Sequence, residues 1–214
     1  MACSSRYERA ARAHGFVRVA GLDEAGRGCL FGPVCAAAVI LDPERSIRGL
    51  NDSKQLEPPR RVVLAGRIRE RALAWAVEFV DAQTIDRINI LQASRLAMRR
   101  ALDRLSPQPD YLLVDALRLD SPIEQLPLVH GDARSFSIAA ASILAKVDRD
   151  AAVAELDRDY PGYGLASNKG YGTPDHLRGL AELGPTPLHR YSFAPVRRAA
   201  RLDPWQPSLF GATD

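Results

Sequence analysis

The distribution of apolar and polar residues divides the chain into strands and helices. Phe16 to Glu24 reads as a first strand, apolar until it ends in two adjacent carboxylates. Gly32-Pro33 turns the chain. Val34 to Leu41 (VCAAAVIL) is short and apolar at every position, the pattern of a strand buried on both faces. Asp42-Pro43 ends it, and residues 49 to 55 (GLNDSKQ) form a polar loop. Pro58 to Arg71 predicts a helix with prolines in its first turn. Leu73 to Asp81 reads as a third strand, with its alanines leaving helix open. Ala82 to Leu105 carries Ile85, Ile88, Leu91, Leu96, Met98 and Leu102 at roughly helical spacing, which predicts one helix closed by Ser106-Pro107. Asp110 to Asp115 (DYLLVD) is a short apolar strand that again ends in a carboxylate. Leu126 to His130 is a weaker fifth strand, followed by Gly131-Asp132.

Ser135 to Asp159 predicts a long helix rich in alanine, and the small residues of SIAAASILA suit close packing on a sheet. Pro161 to Thr173 is rich in Gly and Tyr and reads as loop. A helix over Pro174 to Leu183 follows, then an Arg-rich short helix from Val196 and a tail containing proline. Strands first, with helices between and after them, indicate an α/β domain with a mixed sheet flanked by helices. The C-terminal helices form a small lobe. The expected organisation is an N-terminal extension over 1–16, a main domain over 17–196 that includes the lobe, and a tail over 197–214.

Composition adds little to that picture. The 214 residues suit one large domain, and a hydrophobic fraction of 46% is ample for a core. A formal net charge of +3 is too small to indicate nucleic acid by itself. Cys3, Cys29 and Cys35 are odd in number and lack zinc-ligand spacing, as expected for reduced thiols. The start MACSSRYERAARAHG does not resemble a signal peptide, and no apolar run has the length to span a bilayer. The expected location is the cytoplasm.

The chemistry concentrates at the strand ends. Asp23, Glu24, Asp115 and Asp132 lie at, or just past, the carboxyl ends of predicted strands, where open α/β sheets gather their ligands. Clustered carboxylates repel one another, and a hard cation such as Mg²⁺ or Mn²⁺ relieves the conflict. A lone Asp at a strand end is also a common turn residue or helix cap. Gly26-Arg27-Gly28 is open to two readings: a tight turn, or a backbone stripped of side chains so that a ligand can touch it. A dinucleotide-binding loop does not fit, because Gly32 comes one residue late and Asp23 and Glu24 would repel a pyrophosphate. His14, His130, His176 and His189 show no metal-ligand pairing and read as structural.

These segments resemble bacterial ribonuclease HII, the type 2 ribonuclease H family. The resemblance spans about residues 17 to 196. It rests on GLDEAGRG (21–28), GPVCAAAVIL (32–41), GLNDSKQL (49–56), INILQAS (88–94), LVDA (113–116), GDARSFSIAAASILAKVDRD (131–150), YPGYGLASNKGYGTPDHL (160–177) and HRYSFAPV (189–196). It implies an RNase H-like fold and an endonuclease that cuts the RNA strand of RNA–DNA hybrids and incises DNA duplexes at embedded ribonucleotides, leaving 5′-phosphate and 3′-hydroxyl ends.

The implied catalytic and metal-binding acids are Asp23, Glu24, Asp115 and Asp132, with two divalent ions, Mn²⁺ or Mg²⁺, once substrate is bound. Gly26, Arg27 and Gly28 match the family's Gly-Arg-Gly motif, and Tyr171 its substrate-sensing tyrosine. Lys54, Lys146 and Lys169 are further phosphate contacts, each with an alternative as a surface lysine. Two departures stand out: Cys29-Leu30-Phe31 replaces what is usually a proline and small residues, and Ala116 stands where glycine commonly follows the third acid. The chain is expected to be monomeric. Gln206, Leu209 and Phe210 in QPSLF resemble short peptides that dock on the bacterial sliding clamp by burying two apolar anchors. An accidental pentapeptide is the alternative.

Overall fold

The computed structural model describes residues 3–201. Its five strands are β1 (Val19–Ala25), β2 (Val34–Ile40), β3 (Ala74–Val80), β4 (Tyr111–Asp115) and β5 (Glu124–Leu128). They form one sheet in the order β3-β2-β1-β4-β5. β1 runs antiparallel to β2 and parallel to β4, and β4 runs parallel to β5, so the sheet is mixed as expected. The helices are α1 (Arg6–Ala13), α2 (Pro58–Arg71), α3 (Ala82–Ile88), α4 (Ile90–Asp103), α5 (Phe136–Glu155), α6 (Leu165–Asn168), α7 (Pro174–Leu183) and α8 (Ala194–Ala199). No helix among the described residues is long and apolar enough to cross a membrane.

The chain separates into two compact units. The first comprises residues up to Ala25, Cys35–Phe79 and Ser94–Asp148; the second comprises Gly26–Val34, Val80–Ala93 and the chain from Arg149.

In the first unit the core lies between the sheet and α5. β2 is buried at every position, as its unbroken apolar run requires. Its residues Cys35, Ala37 and Val39 pack with Leu64, Ala65 and Ile68 of α2 and with Ala139, Ala140, Ile143 and Leu144 of α5. The small residues of α5 allow backbone to approach backbone. A Cβ at Gly21 of β1 would lie 2.1 Å from the Ser137 carbonyl carbon, so only glycine lets α5 cross β1 there. Helix α1, in a segment read from sequence only as an extension, is tied to the N-terminus of α5. Glu8 is buried, and its Oε1 accepts from Ser135 Oγ at 2.7 Å and from the Ser137 amide at 2.8 Å.

In the second unit Phe31, Val153, Tyr163 and Leu165 form one buried cluster, and Leu30, Leu180 and Val196 form another. The Asp86 carboxylate of α3 accepts from the amides of Tyr191 and Ser192, each at 2.8 Å.

Three local expectations need correction. The helix expected over Ala82 to Leu105 is two helices, broken at Asn89, whose φ of 66° is left-handed. The Asn89 side chain accepts from the Leu91 and Gln92 amides and so starts α4, a role asparagine fills well. The loop over Pro161 to Thr173 contains the single turn α6. The long helix begins at Phe136 and ends at Glu155, short of Asp159.

Candidate active site

The four acids all belong to the first unit. β1, β4 and β5 are parallel, so their carboxyl ends share one edge of the sheet. Asp23 and Glu24 close β1, and Asp115 closes β4. Asp132 follows β5 in a one-turn 3-10 helix, Gly131–Ala133. That turn is tied to β4, because the Gly131 amide donates to Asp115 Oδ1 at 2.6 Å. A Cβ on Gly131 would lie 2.6 Å from Ile138 Cδ1 and 3.2 Å from the same Asp115 oxygen. Glycine therefore lets the turn lie against the third acid without displacing either side chain.

Asp23 and Asp132 are each only 4% exposed. Asp23 Oδ1 accepts from the Glu24 amide at 2.7 Å. The Asp23 carboxyl is held well above its ordinary range, first by burial and then by the negative charges of Glu24 and Asp115; a hydrogen bond from Ser142 opposes the rise. Asp132 is raised by burial and by Asp52, and Lys54 offsets part of that rise. Lys54 Nζ lies 3.6 Å from Asp132 Oδ2. Burial alone would lower the Lys54 ammonium, but Asp132, Asp23, Asp52 and Asp115 together raise it. The acids thus share one electrostatic neighbourhood that is short of positive charge.

Among the described residues, no group of three or more His, Cys, Asp or Glu side chains is already closed around a point as a metal cage. The donors are nonetheless all oxygen, and burial, with the negative charge of neighbouring carboxylates, raises the proton affinity of Asp23 and Asp132. That chemistry fits a hard divalent cation, which dehydrates reluctantly and takes only a few protein ligands. Asp23, Glu24, Asp115 and Asp132 are the residues that would hold it. Of the candidate phosphate contacts in this unit, Lys54 is exposed and Lys146 is half-buried on α5.

The remaining candidates belong to the second unit. Gly26, with φ of 93°, and Gly28 differ in kind. A Cβ on Gly26 would lie 1.9 Å from Arg149 Nε, whereas one on Gly28 would meet nothing within 4 Å. Gly26 is required by the fold, and Gly28 is not. Arg27 is exposed.

Two buried arginines, which reading the sequence did not single out, hold this loop. Arg190 donates from Nη1 to the carbonyls of Gly26 at 2.7 Å and Arg27 at 3.0 Å, and from Nε to that of Gly32 at 3.0 Å. Arg149 donates to the carbonyls of Pro33, Lys169 and Phe31. Burial, and then Arg149, push the Arg190 guanidinium down to about 9, which leaves it charged at neutral pH. With the Gly26 and Arg27 carbonyls turned to Arg190, the amides are the backbone groups best placed to meet a ligand. Arg149 had a sequence signal: with Ala141, Ala145 and Val153 it repeats every four residues on the buried stripe of α5. Arg190 had none.

Tyr171 is 38% exposed. Its backbone pairs with Cys29 in an antiparallel bridge, and Arg149 Cζ lies 5.8 Å from its ring centroid. Lys169 is half-buried, with a left-handed φ of 53°. Ala116, also left-handed with φ of 49°, explains why glycine suits that position. Among the described residues no disulfide joins Cys3, Cys29 or Cys35. Gln206, Leu209 and Phe210 lie outside the described residues.

Comparison with known proteins places this arrangement in context. The sequence profile of the family described as Ribonuclease HII matches residues 20–196. A ribonuclease HII of Solibacter usitatus is 62% identical over 200 residues, covering 94% of this chain and 88% of the relative. The crystal structure of ribonuclease H2 from Pyrococcus horikoshii superposes with a TM-score of 0.73 at 28% identity, covering 86% of this chain and 98% of that one. The RNase HII of Archaeoglobus fulgidus, solved in complex with PCNA, superposes with a TM-score of 0.64 at 25% identity, covering 80% and 91%.

Proposed function

Because this chain belongs to the ribonuclease HII family, whose members are metal-dependent nucleases acting on RNA–DNA hybrids, we propose that it also incises duplex DNA at embedded ribonucleotides, leaving 5′-phosphate and 3′-hydroxyl ends. The observation that carries the reading is that Asp23, Glu24, Asp115 and Asp132 lie along one sheet edge, where burial and neighbouring carboxylates raise the Asp23 and Asp132 carboxyls. Carboxylates alone would repel a phosphodiester. Two divalent ions, Mg²⁺ or Mn²⁺, would reverse the local sign, lower the pKa of an attacking water and offset charge on the leaving oxygen.

The protein's own part is to hold and aim. Asp115 is kept in place by the Gly131 amide, and Lys54 balances Asp132 until a cation takes that role. In the second unit, the Gly26, Arg27 and Gly28 backbone reads the 2′-hydroxyl, which can donate and accept where deoxyribose can do neither. The Tyr171 ring stacks on the neighbouring nucleotide, while Lys146 and Lys169 contact phosphate. We place this activity in the cytoplasm, where cysteines such as Cys3, Cys29 and Cys35 would stay reduced.

The test is cleavage of a DNA duplex carrying one ribonucleotide, beside an all-DNA duplex, by wild type and Asp115→Asn in Mg²⁺ or Mn²⁺, with the ends mapped. Cutting only at the ribonucleotide, lost in Asp115→Asn, is expected. Equal cutting of both duplexes would indicate a different nuclease of the same fold.

We also propose docking on the sliding clamp through Gln206, Leu209 and Phe210. The PCNA complex of the Archaeoglobus fulgidus relative supports a clamp as partner. Full-length protein should capture the clamp and a chain ending at Trp205 should not; equal capture would end the idea.

A further inference from the structure

Two buried histidines in the second unit take no part in the chemistry outlined above. His176 and His189 are both 0% exposed, and their Nε2 atoms lie 3.1 Å apart. Two neutral imidazoles at that distance share one proton between these nitrogens, and the surrounding groups decide which ring carries it. The Thr186 amide donates to His189 Nδ1 at 3.0 Å. A backbone N–H cannot accept, so that ring nitrogen bears the lone pair. Thr186 Oγ1 lies 2.9 Å from the same nitrogen and accepts from the Leu188 amide, which leaves its own proton to point at the ring.

His189 therefore carries its proton on Nε2 and donates it to His176 Nε2. His176 must then carry its proton on Nδ1, which lies 2.9 Å from the Tyr171 carbonyl oxygen, a pure acceptor. The hydrogen bonds run in one direction from Thr186 to Tyr171. Burial keeps both rings neutral. His189 is pushed down to about 3 by burial and then by His176, and His176 is lowered by burial. A protonated ring would have two donors and would break the sequence.

We propose that His176 and His189 are positioning residues that aim the Tyr171 ring at its nucleotide by clamping the Tyr171 carbonyl. The inference rests on the reading of Tyr171 as the residue that senses substrate. The ring is partly exposed, with Arg149 against it and Cys29 beside it, and how firmly its backbone is held also sets its direction. The same carbonyl accepts from the Thr173 amide at 2.8 Å. The chain just before it is left-handed at Gly170, where a Cβ would lie 2.7 Å from the Phe31 carbonyl oxygen. The histidine pair adds a side-chain hydrogen bond that reaches this carbonyl from the interior.

Two measurements test it. Nitrogen-15 NMR of the imidazoles in the wild-type protein should show His176 protonated on Nδ1 and His189 on Nε2; both rings protonated on Nε2 would overturn the relay. For cleavage of the single-ribonucleotide duplex, His176→Phe should lower kcat/KM about tenfold, the scale of a sub-ångström misplacement. His176→Asn, whose amide reaches the Nδ1 position, should recover most of the loss. In a Tyr171→Ala background, His176→Phe should cost nothing further. If Tyr171→Ala alone leaves cleavage unchanged, the reading of Tyr171 fails and the inference with it. If Tyr171→Ala lowers cleavage but His176→Phe acts equally in both backgrounds, or not at all, the inference alone fails. If His176→Phe does not fold, His176→Gln, which keeps a polar group in the pocket but does not reach the Nδ1 position, decides the matter in the same two backgrounds by the same criterion.

Discussion

Replacing Gly28 by alanine separates ligand approach from folding, because the structure leaves room for the added methyl. A Cβ there meets nothing within 4 Å, and the residue is exposed. The expected stability change is within about 0.5 kcal/mol, as for an ordinary surface substitution. At roughly 2–4 °C per kcal/mol for a chain of this size, Tm should move by no more than about 2 °C. Gly26→Ala is the control. Its φ of 93° is hostile to a side chain, which costs about 1–2 kcal/mol. Its Cβ would lie 1.9 Å from Arg149 Nε, so Arg149 must move. Losing even one of that guanidinium's carbonyl hydrogen bonds adds about 1.5–3 kcal/mol. The sum is about 2.5–5 kcal/mol, or a fall in Tm of roughly 5–20 °C.

Activity should show a different pattern. If the Gly28 backbone approaches the ribose, a methyl there displaces the sugar by about 1 Å, and kcat/KM for the single-ribonucleotide duplex falls about 100-fold. Gly28→Val should lose more and still fold. Steady-state cleavage beside calorimetric melting measures both quantities on one preparation. Gly28→Ala with an unchanged Tm, full kcat/KM and undiminished preference for the ribonucleotide would refute the placement of this backbone against the sugar.

Three further outcomes follow from the same structure. Asp23→Asn should abolish cleavage yet raise the metal-free Tm by about 2–4 °C, corresponding to about 1 kcal/mol. The folded protein raises the proton affinity of Asp23, so its stabilising contribution is present below the unfolded value and lost as pH rises through the folded one; at neutral pH the carboxylate is a net cost. Calorimetry with and without Mg²⁺ checks this, and a lower metal-free Tm for Asp23→Asn would contradict it. His189 has the opposite sign. The folded ring takes a proton only near 3, whereas the unfolded one does so near about 6.5, so its stabilisation is full above the unfolded value and falls as pH drops between them. Denaturation midpoints should therefore fall less steeply over that acid range in His189→Gln than in wild type. Ala116→Gly should stabilise by about 0.5–1 kcal/mol by relieving the left-handed alanine at φ of 49°, with cleavage retained; urea titration measures it, and destabilisation would be the contrary result.

The sequence by itself determined what depends on local periodicity. The unbroken apolar run of β2 announced its burial, and α2 and α7 occupy the residues read from their starting prolines. Strand-end acids were legible for Asp23, Glu24 and Asp115, because a carboxylate closing an apolar run is a local signal; Asp132 was weaker, since it follows β5 in a turn. The break at Asn89 was not legible, because apolar spacing continues across it and only the backbone reverses.

What the tertiary structure decided is which distant groups meet. Arg190 holds the Gly26 carbonyl from 164 positions away, Arg149 holds that of Phe31 from 118, and the direction of the His189–His176 relay follows from one backbone N–H. Periodicity records whether a side chain is inside or outside. A buried polar group also needs a partner, and the fold alone supplies it.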